Sequence, residues 1–161
     1  MKRYGNSRFN HDKYRAKQRY HERKTSGFRC SHCKRFVPIN DRMGTANRNH
    51  CNWCLWSKHV DEVKGDRRSH CSGGMGPIGL TFKHEGHGKV GEIMLIHLCS
   101  VCQKISINRI ARDDQEQKIV AAFKSSLRLE SSVKVRLEKA GIYLLSKADE
   151  GELSTQLFGI S

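Results

Sequence analysis

The sequence predicts a small α+β fold: a zinc-ribbon or treble-clef-like domain stapled by two zinc ions. A disordered basic arm precedes it and a helical extension follows. Three observations predict this. Six of the seven cysteines fall into Cys-x2-Cys pairs, at Cys30/Cys33, Cys51/Cys54 and Cys99/Cys102. Only 37% of the 161 residues are hydrophobic, so a large core is out of reach and something else must hold the fold. Positive charge is concentrated at the front of the chain.

The charge divides the chain into three parts. Residues 1–29 carry ten Lys/Arg against two acids, residues 30–109 twelve against six, and residues 110–161 eight against eight. The whole excess of the net +14 therefore lies before residue 110. A polyanion, nucleic acid above all, is the natural partner of such a surface. Within the arm, Lys2, Arg3, Arg8, Lys13, Arg15, Lys17, Arg19, Arg23 and Lys24 alternate with Tyr4, Phe9, Tyr14 and Tyr20. Almost no aliphatic residue is present there, so the arm is expected to be disordered when free. Its cations would neutralise phosphates while its rings stack on unpaired bases.

The first two cysteine pairs are separated by seventeen residues, and four thiolates in two close pairs are the ligand set of a closed, structural zinc site. Cys30, Cys33, Cys51 and Cys54 are its predicted ligands. An odd cysteine number and the absence of an apolar leader favour metal in a reducing cytoplasm over secreted disulfides. The longest apolar runs, 93–96 and 142–145, are too short to span a bilayer.

Around the second pair stand Arg48-Asn49-His50-Cys51, then Ser57-Lys58-His59-Val60-Asp61 and Gly65-Asp66-Arg67. This run resembles the RNHCP domain, a small bacterial family, over about residues 28–114. Asn52 and Lys64 stand where that family is expected to have proline. The resemblance implies a zinc-bearing domain and says little about function.

A second site is expected from Cys71, Cys99 and Cys102, with a histidine as fourth ligand. The candidates are His97, His84, His87, His70 and His59. His97 is favoured because residues two apart on a strand share a face, which aims it and Cys99 at one metal. The resemblance also places a histidine there. The cofactor is thus two Zn2+ ions.

The remaining elements follow from local patterns. A hairpin is expected between the first two knuckles, through 36–39 and a polar turn at 41–44. A short helix is expected over 55–63. Trp53 and Trp56 should pack over the site, base stacking being the alternative. Residues 73–77 read as a glycine-rich link without the Lys-Ser/Thr of a phosphate loop. From 113 onward, Asp113 with Glu116 suggests an N-cap, and Ile119, Val120, Phe123 and Leu127 form a helical stripe. Residues 133–140 before Gly141 suggest a second helix, and Leu153, Leu157 and Phe158 close the chain. The expected domains are therefore 1–29, 30–112 and 113–161.

These features point to a non-enzymatic, zinc-stabilised RNA-binding protein of the cytoplasm. Ribosomal RNA and neighbouring ribosomal proteins are the expected partners, with no membrane and no small-molecule substrate. Arg48, Lys58, Arg67, Arg68 and Arg109 are candidate phosphate contacts on the folded domain. A DNA-binding zinc-finger regulator is the first alternative, although no predicted helix is strongly basic. An HNH-like nuclease using His50, Asn52, His59 and Asp61 is the second, although the spacing is wrong and an all-thiolate zinc leaves no open position.

Overall fold

The computed structural model describes residues 26–45, 48–63, 65–85 and 90–159. Among the described residues the fold is α+β, with two antiparallel sheets and three helices. The arm lies outside the described residues up to residue 25; its last four residues are already part of the fold. Ser26–Arg29 form β1, which pairs with β2, Phe36–Ile39, across the first knuckle. The hairpin thus straddles Cys30 and Cys33 instead of following them. The polar turn becomes a 3-10 turn at Asp41–Met43.

The second sheet has strand order β3-β4-β5-β6, with β3 at Ser57–Lys58, β4 at Gly74–His84, β5 at Val90–Cys99 and β6 at Ile105–Arg109. The 73–77 stretch is therefore no link but the start of the longest strand. Its glycines have a packing reason: a Cβ on Gly74 or Gly76 would come within 3.2 or 3.3 Å of the Trp56 indole, which lies against β4 there. β5 is the central strand and is buried along most of its length, which explains its unbroken apolar run Ile93–Ile96.

Helix α1, Glu116–Ser126, covers the sheet; Ile119 and Phe123 of the expected stripe are buried together with Ala122, while Val120 and Leu127 are half-buried. Its N-cap is Gln115, without a side-chain cap bond. Asp113, expected as the cap, is held instead by Arg48, and a buried cation outcompetes a capping bond worth about 1 kcal/mol. Helix α2, Ser131–Lys139, ends before Gly141 at φ +71, the left-handed stop that glycine favours. Helix α3 spans Glu150–Phe158 and buries Leu153. Leu80, Ile93 and Leu95 from the sheet meet Leu55, Ile119, Phe123, Leu145 and Leu153 in one core. A separate small cluster of Cys30, Val37 and Cys51, with Phe28 and Trp53 against it, lies under the first knuckle. None of the described helices is long and apolar enough to cross a membrane.

The expected helix over 55–63 is absent. Leu55 has φ +61, which ends any helix at that point, and Ser57–Lys58 pair with Gly74–Met75 as β3 instead.

Candidate functional site

The three Cys-x2-Cys pairs are one structure repeated three times. In each, the residue before the first cysteine pairs with the residue six after that cysteine: Arg29 with Phe36, His50 with Ser57, and Leu98 with Ile105. Within each tip the first cysteine's amide donates to the carbonyl five residues on, at 2.9 Å to Arg35, Trp56 and Lys104. The amide just after the second cysteine donates back to the first cysteine's carbonyl, from Lys34 at 3.0 Å, Leu55 at 2.8 Å and Gln103 at 3.1 Å. Those three donors all sit at positive φ, +62, +61 and +63. A non-glycine residue there carries strain that the surroundings must hold. A turn of this shape aims two thiols at one point and directs backbone N–H groups at their sulfurs, as Cys33 N–H does towards Cys30 Sγ at 3.5 Å.

The first two knuckles face each other. Cys30 Sγ is 3.7 Å from Cys54 Sγ, and Cys33 Sγ is 3.6 Å from Cys51 Sγ. None of the seven cysteines is in a disulfide. Four sulfurs about 2.3 Å from a tetrahedral zinc stand about 3.8 Å apart, so the observed spacing fits that ion. The third knuckle meets two ligands from elsewhere. Cys71 Sγ lies 3.7 Å from Cys99 Sγ, and His59 Nδ1 lies 3.2 Å from Cys102 Sγ. In each group the four ligand atoms lie within 4.8 Å of one another. Both groups could hold a metal ion, and both donor sets, thiolate with at most one imidazole, suit zinc.

The thiols respond unequally to this crowding. Burial opposes ionisation of Cys99, but the backbone N–H groups of Cys102 and Val101, with His59 and Cys102, outweigh it and bring the thiol down to about 6. Burial is likewise overcome at Cys33, where the Arg35 N–H and the neighbouring cysteines lower the thiol to about 7. Burial prevails at Cys51, pushed up to about 11, and at Cys54, also raised. One thiol of the first cluster thus ionises readily while Cys51 and Cys54 resist. A divalent cation removes that conflict, because its charge stabilises all the thiolates together.

His59, not His97, completes the second cluster. His97 is fully buried on β5 and both its ring nitrogens are engaged. Nε2–H donates to the Leu55 carbonyl at 2.6 Å, which leaves Nδ1 to accept from Asn108 Nδ2 at 2.9 Å. Asn108 Oδ1 in turn accepts from Asn49 Nδ2 at 2.7 Å. Burial, with His50 nearby, holds the His97 ring down to about 4, so it is a neutral member of this chain. His97 fastens the second knuckle, through Leu55, to the central strand. His59 reaches the cluster because β3 carries it there; its amide donates to the Gly73 carbonyl at 2.8 Å. Its Nε2 is buried without a protein partner. Of the other candidates, His70 and His84 are exposed and outside either cluster, and His87 lies outside the described residues.

The residues Arg48-Asn49-His50 work inward. The Arg48 side chain is 0% exposed and pairs with Asp113, while its Nη1 is 3.7 Å from Asp114 Oδ1. His50 Nε2 meets Asp114 Oδ2 at 2.7 Å, and the same oxygen accepts the Ala111 N–H at 2.7 Å. Arg48 Nε also reaches Met43 Sδ at 3.3 Å. This network ties the second knuckle to the segment that leads into α1. Arg48 is therefore not a phosphate contact. Asp113 and Asp114 hold Arg48 and His50. Lys58, Arg67, Arg68 and Arg109 are exposed; Arg67 pairs with Asp61, and Arg109 with Glu92 at 2.7 Å. Of the side chains that an HNH-like site would need, His50 meets Asp114, His59 belongs to the second cluster and Asp61 accepts from the amides of Gly65 and Arg67, while Asn52 Oδ1 is buried without a protein partner.

A family model of the RNHCP domain matches residues 25–120, more than half of the chain. The chain belongs to the RNHCP domain family. No curated protein and no solved structure matches it. The matched span starts at β1 and runs into α1, so it takes in both cysteine clusters and the Asp113/Asp114 pair. The RNHCP signature thus names one polar network and the thiol beside it. Arg48, Asn49 and His50 are structural partners of Asp113, Asn108 and Asp114, and Cys51 is a ligand of the first cluster.

Proposed function

We propose that this RNHCP protein is a zinc-stabilised RNA-binding protein that associates with the ribosome by contacting ribosomal RNA. Zinc is the proposed ion at both clusters, on the strength of the donor sets and the sulfur spacing. The observation that carries the RNA reading is the charge. Thirty Lys/Arg oppose sixteen Asp/Glu, and the entire excess precedes residue 110. The two metal-holding clusters lie in that same cationic part, between residues 30 and 102. On this reading the clusters act as staples and the domain as a binding module with no catalytic step. Its place is the cytoplasm, beside ribosomal proteins. Residues 1–25 supply nine of the cations and are the proposed principal contact, joined by Lys58, Arg67 and Arg68 of the domain.

The test is binding to ribosomal RNA fragments and to duplex DNA of equal length across a salt series. RNA should bind more tightly, with log affinity falling linearly in log salt by about 0.7 to 0.9 per phosphate neutralised. Exchanging the nine cations of residues 1–25 for Gln should flatten that slope and release the protein from ribosomes in low-salt sucrose gradients. Preference for duplex DNA, or no sedimentation with ribosomes at low salt, would refute the proposal.

A further inference from the structure

The two tryptophans beside the first metal cluster are each covered by a cationic or ionisable partner. The His32 and Trp56 rings are stacked, with centroids 4.1 Å apart and planes within 5°. The Arg35 guanidinium lies over Trp53, 5.1 Å from its centroid. Trp56 is backed by the glycines of β4, so the order from the interior outward is strand, indole, imidazole, solvent. His32 and Arg35 are both exposed, and Phe36, which follows Arg35 in the chain, is 47% exposed. A parallel stack that ends on an exposed plane is what an unpaired base needs.

The chemistry around these planes selects the ligand. Residues 26–40 contain Arg29, Lys34 and Arg35 and no Asp or Glu. The cations here are directed at carbonyls and a ring instead of carboxylates: Arg29 Nη1 donates to the Lys34 carbonyl at 2.9 Å, and Lys34 Nζ to the Ser31 carbonyl at 2.5 Å. They keep their charge for an outside anion. The knuckle geometry fixes their placement, because Lys34 is the strained residue at φ +62 and Arg35 the one whose carbonyl takes the Cys30 amide.

We propose that the tip of the first knuckle is a stacking platform for unpaired RNA bases, with His32 and Phe36 as the planes and Lys34 and Arg35 as the phosphate contacts. This rests on the RNA reading above and locates it. It assigns the two tryptophans a supporting role: they hold His32 and Arg35 in place and do not touch the base.

The test uses the full-length, metal-loaded protein and a single-stranded RNA oligonucleotide, compared with the same oligonucleotide made abasic at several positions. His32→Ala removes an exposed ring and Phe36→Ala a half-exposed one that lies over Gly27, and metal content and circular dichroism check that each variant folds. Each should weaken binding on the order of tenfold without changing the salt slope, because a stacked base carries no counterion. His32→Tyr should restore affinity, whereas Lys34→Gln should lower the slope by about 0.7. Abasic RNA bound as tightly as normal RNA, or both alanine variants binding like wild type, would overturn the platform while leaving RNA binding in force. Failure of the wild type to bind any RNA would overturn both.

Discussion

Removing metal with a strong zinc chelator should unfold the domain. Far-ultraviolet circular dichroism should lose its sheet signal, and adding zinc back should restore it. The size of the effect follows from the core. The cluster under the first knuckle is three buried residues, two of them ligands: Cys30, Val37 and Cys51. Beyond it and the remaining ligands, only the partly buried Phe28 and Trp53 pack there, too little to replace the metal. A structural zinc contributes roughly 10–16 kcal/mol of apparent binding energy at neutral pH, against a net stability of about 5–15 kcal/mol for a typical domain. Loss of either ion is therefore comparable to the whole net stability. The pairing β1–β2 should open first, because it is held by the first knuckle, that small cluster and one bond from Trp53 Nε1 to the Phe36 carbonyl at 3.3 Å. A chelated protein that keeps its spectrum and melting temperature would contradict this.

Asp114→Ala should be the most damaging substitution outside the ligands, costing about 3–5 kcal/mol. Asp114 is the shared anion of the buried network. It accepts from His50 and from the Ala111 amide and neutralises Arg48, and its own side chain is 0% exposed. Deleting it leaves a buried guanidinium with only Asp113, which is 37% exposed, and removes the partner of His50 Nε2. Asp114→Asn keeps the shape but not the charge and should fall between. Denaturant unfolding with zinc in excess measures both. In a double-mutant cycle Asp114→Ala and His50→Ala should be strongly non-additive, since each removes the same 2.7 Å contact. An Asp114→Ala variant as stable as wild type would show that the network does not hold the second knuckle.

The ligating cysteines were legible because the knuckle is a local object. Two thiols three apart need only a short turn, and each turn here carries the same bonds and the same positive φ. The α1 stripe and the Gly141 stop were legible for the same reason. What failed was long-range. Leu55–Val63 reads as a helix until Leu55 is placed in the left-handed region that ends the knuckle. Once those residues form β3, His59 swings to the second cluster and His97 is freed for its buried chain with Asn108. The parity of His97 and Cys99 on β5 was a sound expectation about faces but not about ligation, because the Leu55 carbonyl claims His97 first. One signal was available: the pairing of the residue before each knuckle with the one six beyond its first cysteine makes Ser57 a strand residue and puts His59 on its face. Arg48 was misread as surface charge because its two partners lie 65 and 66 positions away.

The account stands on two metal staples, the second closed by His59. Native mass spectrometry of protein prepared with zinc counts the ions directly. Two per chain are expected for wild type and for His97→Ala, and one for His59→Ala. Two ions retained by His59→Ala, or a folded wild type carrying none, would contradict it.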